Sequence, residues 1–105
     1  MVSEPGLDLH ELESRWSSID EDAADDPDVA VSQFADLVEE MLIPRGYDVR
    51  DPVQSVGDEP EIVVTYRSAR ETAERAELGE ASRADVEAAI EDLRWIFDTL
   101  VAERP

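Results

Sequence analysis

The segment from Asp26 to Pro44 reads DPDVAVSQFADLVEEMLIP, and it decides the fold class of the chain. Asp26 and Pro27 indicate a helix start, because aspartate is a good N-cap residue and proline suits the first helical position. The apolar residues that follow recur at spacings of three and four, the period of an amphipathic α-helix. They are Val31, Phe34, Leu37, Val38, Met41 and Leu42. Pro44 and Gly46 terminate this pattern, which predicts a helix over residues 27–43.

Two flanking segments carry the same helical period. A helix predicted over residues 7–22 follows the breaker Pro5-Gly6, and its apolar stripe is Leu9, Leu12, Trp16 and Ile19. On the C-terminal side, Ser82 and Asp85 have the spacing of a capping box and start a helix predicted over residues 83–102. The buried stripe expected for that helix is Val86, Ala89, Ile90, Leu93, Phe97 and Leu100.

The segment 59–78 is compatible with two elements. Residues 62–66 read IVVTY, which has the β-branched and aromatic composition of a strand. A helix is favoured, because the apolar period continues through Ala69, Ala73 and Ala76 into Glu- and Arg-rich sequence. A single short strand would also have no partner strand in this chain. We therefore expect an all-α compact bundle of four helices, one domain over residues 1–105 with frayed ends at residues 1–6 and 103–105.

Composition restricts the classes of function. The chain has 105 residues, 28 acidic and nine basic, for a net charge of −19. Residues 1–44 hold 13 acids and a single base, Arg15. Because affinity for a phosphate backbone comes from clustered basic residues, we expect no direct nucleic-acid binding and no binding to an anionic membrane. No apolar run approaches the ~18 residues of a bilayer span, and we expect a cytoplasmic protein.

The sequence offers little for catalysis or metal binding. It has no cysteine and one histidine, His10, which excludes thiol chemistry and most histidine-based sites. The acids are so numerous that no pair is distinguished as general acid and base. The tract Asp20–Asp28 offers oxygen ligands for calcium but lacks the glycine and the closing glutamate of an EF-hand loop, so a solvated linker is expected. We expect no enzyme, no cofactor and no metal site.

Arginine and aromatic side chains interrupt the acidic surface and are the candidate binding residues. Arg, Tyr and Trp are enriched at binding hot spots. Ordinary i,i+4 ion pairs, such as Arg70–Glu74 and Arg83–Glu87, are an alternative explanation of the same arginines. Trp95 lies beside the apolar stripe of its helix, either at the core margin or as an exposed anchor. The candidate interaction surface consists of Tyr66, Arg67, Arg70, Arg94 and Trp95.

Several blocks of sequence, in order, resemble a known family. They are Trp16-x-x-Ile19, Asp25-Asp26-Pro27-x-x-Ala30-Val31, Ala35-Asp36-Leu37-Val38 with Met41, Arg45-Gly46-Tyr47, Pro60-x-x-Val63, Tyr66-Arg67-x-Ala69, Gly79-Glu80-Ala81-Ser82, and Leu93-Arg94 with Phe97. Together they span residues 12–101 and resemble an uncharacterised family of small, acidic, helical actinobacterial proteins. The resemblance implies a helical fold and supplies no activity, cofactor or catalytic residue.

These observations favour a non-catalytic protein–protein interaction or adaptor domain. Its partner would be another protein, for which a basic one fits the charge, and self-association into a homo-oligomer is a second form of the same hypothesis. The alternative is an acidic nucleic-acid mimic that occupies a basic groove on another protein. A carboxylate- or metal-dependent enzyme is the third hypothesis. The salt dependence of binding distinguishes the interaction-domain hypothesis from the mimic hypothesis, because binding by mimicry weakens steeply as salt screens the charges.

Overall fold

The part of the chain that the structure describes folds as a bundle of four α-helices. The computed structural model describes residues 9–47, 49 and 60–102. The helices are α1 (Leu9–Ala23), α2 (Pro27–Leu42), α3 (Glu61–Glu77) and α4 (Arg83–Ala102), and a 3-10 turn, Ile43–Arg45, continues α2. No strand occurs in the described residues, and residues 62–66 lie inside α3, so the strand alternative is wrong. The prediction of an all-α bundle of four helices is confirmed.

α2 is the central helix of the bundle. It packs against α1, α3 and α4, and α3 also packs against α4. Half of its 16 residues are buried, and they include every apolar position of the predicted stripe. The buried residues are Ala30, Val31, Phe34, Ala35, Leu37, Val38, Met41 and Leu42. A helix that is apolar around so much of its circumference needs partners on several sides, which explains its central place.

Two of the predicted helix caps are present. The side chain of Asp26 accepts the backbone N–H of Val29 at 3.4 Å. At the start of α4, the backbone N–H of Asp85 donates to Ser82 Oγ at 3.0 Å, and the N–H of Ser82 donates to Asp85 Oδ2 at 3.4 Å. These bonds satisfy N–H groups that have no partner within their helices, so the capping box at Ser82 and Asp85 is confirmed.

The helix bounds differ slightly from the predicted ones. The turn Ile43–Arg45 tightens the chain after Leu42, and Gly46 follows with φ +90°, a conformation that favours glycine. α1 ends one residue later than predicted, and α3 ends one residue earlier. Two predictions lie outside the described residues: the start of the first helix before residue 9, and the frayed ends 1–6 and 103–105. The predicted start of the third helix at residue 59 is two residues too early, because Pro60 is the N-cap residue and α3 begins at Glu61.

Trp16 anchors α1 to the rest of the bundle. Its side chain is 5% exposed, and its ring lies 4.9 Å from the ring of Phe97 on α4, measured between centroids. Phe34 and Phe97 belong to the largest fully buried side chains of the core. The sequence places Trp16 in the core on the stripe of the first helix, and the structure agrees.

Candidate functional site

Four polar side chains join α2 to α3 and form the α2–α3 clamp (Asp36, Glu39, Tyr66 and Arg70). The hydroxyl of Tyr66 donates a hydrogen bond to Glu39 Oε1 at 2.9 Å. Arg70 donates from Nε to that hydroxyl at 2.9 Å. Its Nη2 donates to Asp36 Oδ1 and to Glu39 Oε1, again at 2.9 Å. One guanidinium on α3 therefore bridges two carboxylates on α2, with the tyrosine as a shared partner.

The environment of the clamp fixes its protonation states. Burial raises the pKa of Tyr66 to about 12; the hydrogen bond from Arg70 opposes that shift and the one to Glu39 adds to it. Burial lowers the pKa of Arg70, but its hydrogen bonds with Tyr66 and Asp36 outweigh this effect, and the pKa is raised. The phenol of Tyr66 therefore stays protonated and the guanidinium of Arg70 stays charged at neutral pH, so these two groups make a structural contact.

Two members of the clamp are residues that the sequence assigns to the candidate interaction surface. Tyr66 is only 3% exposed, and the side chain of Arg70 is 23% exposed. Arg70 forms its ion pairs with α2 and not with Glu74 on its own helix, whereas the other i,i+4 pair given as an alternative explanation, Arg83–Glu87, is present. Arg67 is half-buried on α3. Tyr66 and Arg70 thus contribute mainly to packing between α2 and α3.

Arg94 lies where α4 meets α1. Its guanidinium carbon is 5.2 Å from the ring centroid of Trp16 and 5.4 Å from that of Phe97. Its Nε is 3.0 Å from Asp98 Oδ1, and half of its side chain is exposed. Cation–π contacts at exposed sites contribute about 0.5–1 kcal/mol. Arg94 therefore covers the aromatic part of the core with a charge that is already paired.

Trp95 lies on the outer face of α4. It is 44% exposed, whereas Leu93 and Ile96 on the same helix are fully buried. Of the two positions that the sequence leaves open for Trp95, the exposed one is observed. A tryptophan at the surface of a well-packed helix leaves a large apolar area in water, and this area is available for contact with another molecule.

The residues around Trp95 are acidic. Glu91 and Asp92 precede it by four and three residues, and Asp98 follows it by three, which places all of them on its side of the helix. Asp98 is paired with Arg94. Within the described part of the chain, Glu91 and Asp92 make no ion pair and no side-chain hydrogen bond. We name this region the Trp95 surface (Glu91, Asp92, Trp95 and Asp98).

A second region, a groove between α1 and α2, was not predicted from the sequence. It has a volume of about 620 Å³ and lies open to solvent. Arg15 and Glu40 cross it with a bidentate ion pair, at 2.8 and 3.1 Å. The hydrogen bond from Arg15 lowers the pKa of Glu40, against the opposing effect of burial. The groove is lined by Glu11, Ser14, Arg15, Ser18, Ile19, Asp22, Gln33, Asp36 and Glu40.

A signal for this groove was present in the sequence. Arg15 is the only base among the first 44 residues, so a facing carboxylate on the next helix was to be expected. Which carboxylate it meets depends on how α1 and α2 pack, and the spacing along one helix carries no information on that. The groove could therefore be identified only from the structure.

Two general classes of site are absent from the described residues. In residues 9–47, 49 and 60–102, no three acidic or histidine side chains are grouped so that they could hold a metal ion. No helix in the same part of the chain is both long enough and apolar enough to cross a bilayer.

Comparison with known proteins gave no match. No protein-family model matches the chain, and neither the curated proteins nor the solved structures show a significant similarity to it. The resemblance to small actinobacterial proteins therefore stays a prediction.

Proposed function

We propose that this chain is a non-catalytic protein-interaction domain of the cytoplasm, and that its partner contacts the Trp95 surface. The exposure of Trp95 carries this proposal: it is the most exposed of the six aromatic side chains, at 44%, on a helix whose other large apolar side chains face the core. Tryptophan is among the residues most enriched at binding hot spots, because its large ring loses much contact with water when a partner covers it.

The position of Trp95 suits a binding residue. It lies in the middle of α4, and the buried side chains of Leu93, Ile96 and Phe97 hold the backbone on both sides of it. The hydroxyl of Thr99 also donates to the carbonyl of Trp95 at 2.7 Å. A side chain on a fixed backbone loses little conformational entropy when it binds, and less of the contact energy is therefore lost to ordering.

Neither Glu40 nor Tyr66, whose pKa values are shifted, is suited to act as a general acid near neutral pH. A general acid at neutral pH needs a carboxyl pKa raised towards 7. Glu40 is shifted in the opposite direction by Arg15. The pKa of Tyr66, at about 12, makes it too weak an acid for proton transfer near neutrality, and its hydroxyl is already bonded within the clamp.

Affinity capture from a lysate of the source organism tests this proposal. The bait is the wild-type chain, and the matched pair of variants is Trp95→Ala and Leu78→Ala, since Leu78 is also exposed, at 71%, but lies at the end of α3. We expect a protein that survives a high-salt wash on wild-type and Leu78→Ala bait and is lost from Trp95→Ala. A protein retained equally by all three baits would contradict the proposal.

The nucleic-acid mimic hypothesis predicts a different result in the same experiment. Its contacts are charges spread over an acidic surface, so the captured proteins would be basic and would be released at high salt from all three baits. Loss of retention at high salt combined with indifference to Trp95→Ala would therefore favour mimicry over a Trp95-centred interface.

A further inference from the structure

The aromatic side chains of this protein differ in whether an arginine covers them. Arg94 lies over the rings of Trp16 and Phe97, and Arg70 lies 5.5 Å from the ring centroid of Tyr66. Within the described residues no such contact is made to Trp95. The exposed ring of this chain is thus one that has no cation over it, although tryptophan is the best aromatic partner for a cation.

Two carboxylates beside Trp95 also lack a cationic partner within the described residues. Some carboxylates elsewhere on the surface are held by arginines, as in the pairs Arg15–Glu40 and Arg83–Glu87. Glu91 and Asp92 have no such partner in the described part of the chain, and they lie one helical turn before Trp95. An arginine or lysine placed at this turn would meet a ring face and two carboxylates together.

The outer face of α4 also permits close approach. Ala88 and Ala102, seven residues to each side of Trp95, are exposed. Their side chains are small, so a partner segment can approach the helix closely at these two positions. The stretch between them is about 21 Å long at 1.5 Å per residue. A partner segment of about four helical turns could therefore lie along this face.

We propose that the Trp95 surface takes a cationic segment of another protein, with an arginine or lysine of that segment between the Trp95 ring and the carboxylates of Glu91 and Asp92. This inference rests on the function proposed above and adds the chemistry of the partner. A second copy of the chain fits poorly, because each copy carries a net charge of −19 and two such faces would bring like carboxylates together.

Two synthetic peptides of about 15 residues serve as probes. Both carry leucines on one helical face; one has arginines on the other face, and the second has neutral citrulline at the same positions. Their binding is measured by fluorescence anisotropy of labelled peptide at low and high salt. Citrulline keeps the shape and most hydrogen-bond donors of arginine and removes the charge, so the pair isolates the role of the cation.

Three variants locate the binding. Trp95→Ala removes the ring, and the double variant Glu91→Gln/Asp92→Asn removes the two carboxylates. The matched control is Glu13→Gln/Glu21→Gln on α1, which removes the same charge from two other exposed acids. Circular dichroism confirms that each variant is folded before its affinity is compared.

We expect the arginine peptide to bind the wild type and the citrulline peptide to bind it at least about tenfold more weakly. Trp95→Ala should weaken arginine-peptide binding by about 30-fold, the size of a hot-spot effect. Glu91→Gln/Asp92→Asn should weaken it about tenfold and reduce its salt dependence, and the control should stay within about twofold.

Each other result overturns a separate claim. Equal losses of arginine-peptide affinity in the two double variants would mean that the peptide is attracted by the overall charge and not by Glu91 and Asp92. If the arginine peptide does not bind the wild type, the proposal of a cationic partner is refuted. Equal binding of both peptides, each dependent on Trp95, would refute the cation while the proposed interface stands. Binding that is indifferent to Trp95→Ala would refute the interface itself.

Discussion

The ring of Trp16 on α1 stacks on the ring of Phe34 on α2, with 4.0 Å between centroids and 28° between planes. This contact and the one with Phe97 bind α1 to two other helices through a single side chain. Among the α1 side chains that the structure describes, Leu12 is the other buried apolar residue, at 6% exposed, and Ile19 and Ala23 are partly buried. The attachment of α1 therefore depends on Trp16.

Trp16→Ala should destabilise the protein by about 3–5 kcal/mol, the usual cost of emptying a large aromatic site in a core. Trp95→Ala, which removes the same side chain from an exposed position, should change the free energy of unfolding by less than about 1 kcal/mol. Chemical denaturation of both variants measures the difference. Equal stability of the two variants would contradict the described packing of α1.

Phe34→Ala and Phe97→Ala should each cost about 3–5 kcal/mol for the same reason, because Phe34 is 0% and Phe97 is 2% exposed. The loss is a large share of the total stability of a small domain. A thermal melt of each variant checks this expectation, and an unchanged melting temperature for either would show that its ring is not in the core.

Alkali should weaken the α2–α3 clamp. The pKa of Tyr66 is raised from 10.0 to about 12 in the folded chain. The stability that this shift represents is fully present below pH 10 and is lost as the pH rises from 10 to 12, by up to about 3 kcal/mol at 1.36 kcal/mol per pKa unit. Denaturation at pH 9 and pH 11 measures about half of this loss, because pH 11 lies midway between the two pKa values. Tyr66→Phe should abolish most of the difference in stability between the two pH values.

Acid should weaken the Arg15–Glu40 pair. Because Arg15 lowers the pKa of Glu40 below its ordinary 4.5, the stability from this pair is present above pH 4.5 and is lost as the pH falls through the lowered value. Half of the Glu40 side chain is exposed, so the coupling should not exceed about 1 kcal/mol. A double-mutant cycle with Arg15→Gln and Glu40→Gln at pH 7 and pH 3 measures it; a coupling that persists at pH 3 would contradict this account.

Salt should stabilise the fold. With a net charge of −19, the compact chain repels itself, and about 0.5 M sodium chloride screens that repulsion. We expect the melting temperature to rise with salt, and Glu13→Gln/Glu21→Gln to raise it at low salt more than at high salt. A melting temperature that falls with salt would mean that ion pairs outweigh the repulsion.

The helices could be predicted from the sequence because each depends on a period within one segment. Val31, Phe34 and Leu37 repeat at helical spacing, and that spacing alone is sufficient to identify the buried face of α2. The capping box of Ser82 and Asp85 is likewise local, since both residues belong to one turn of chain. These features could be predicted correctly because no contact from another helix is needed to form them.

Contacts between helices could not be predicted in this way. Tyr66 fits two patterns, the buried apolar stripe of α3 and the candidate interaction surface. The sequence does not distinguish them, and the packing of α3 against α2 shows that Tyr66 is buried. Arg70 meets Glu39 across the helix interface, where spacing rules for one helix do not apply. Trp95 lies beside a buried stripe, and its exposure depends on the direction from which α2 and α3 pack against α4.

The affinity of the captured partner for wild-type and Trp95→Ala protein is the measurement that tests the central claim most directly. Isothermal titration with the purified partner, and with Leu78→Ala as the matched control, compares two exposed apolar side chains on one scaffold. We predict about a 30-fold loss of affinity for Trp95→Ala and a change within about twofold for Leu78→Ala. Equal affinity of wild-type and Trp95→Ala protein would contradict the assignment of the Trp95 surface as the interface.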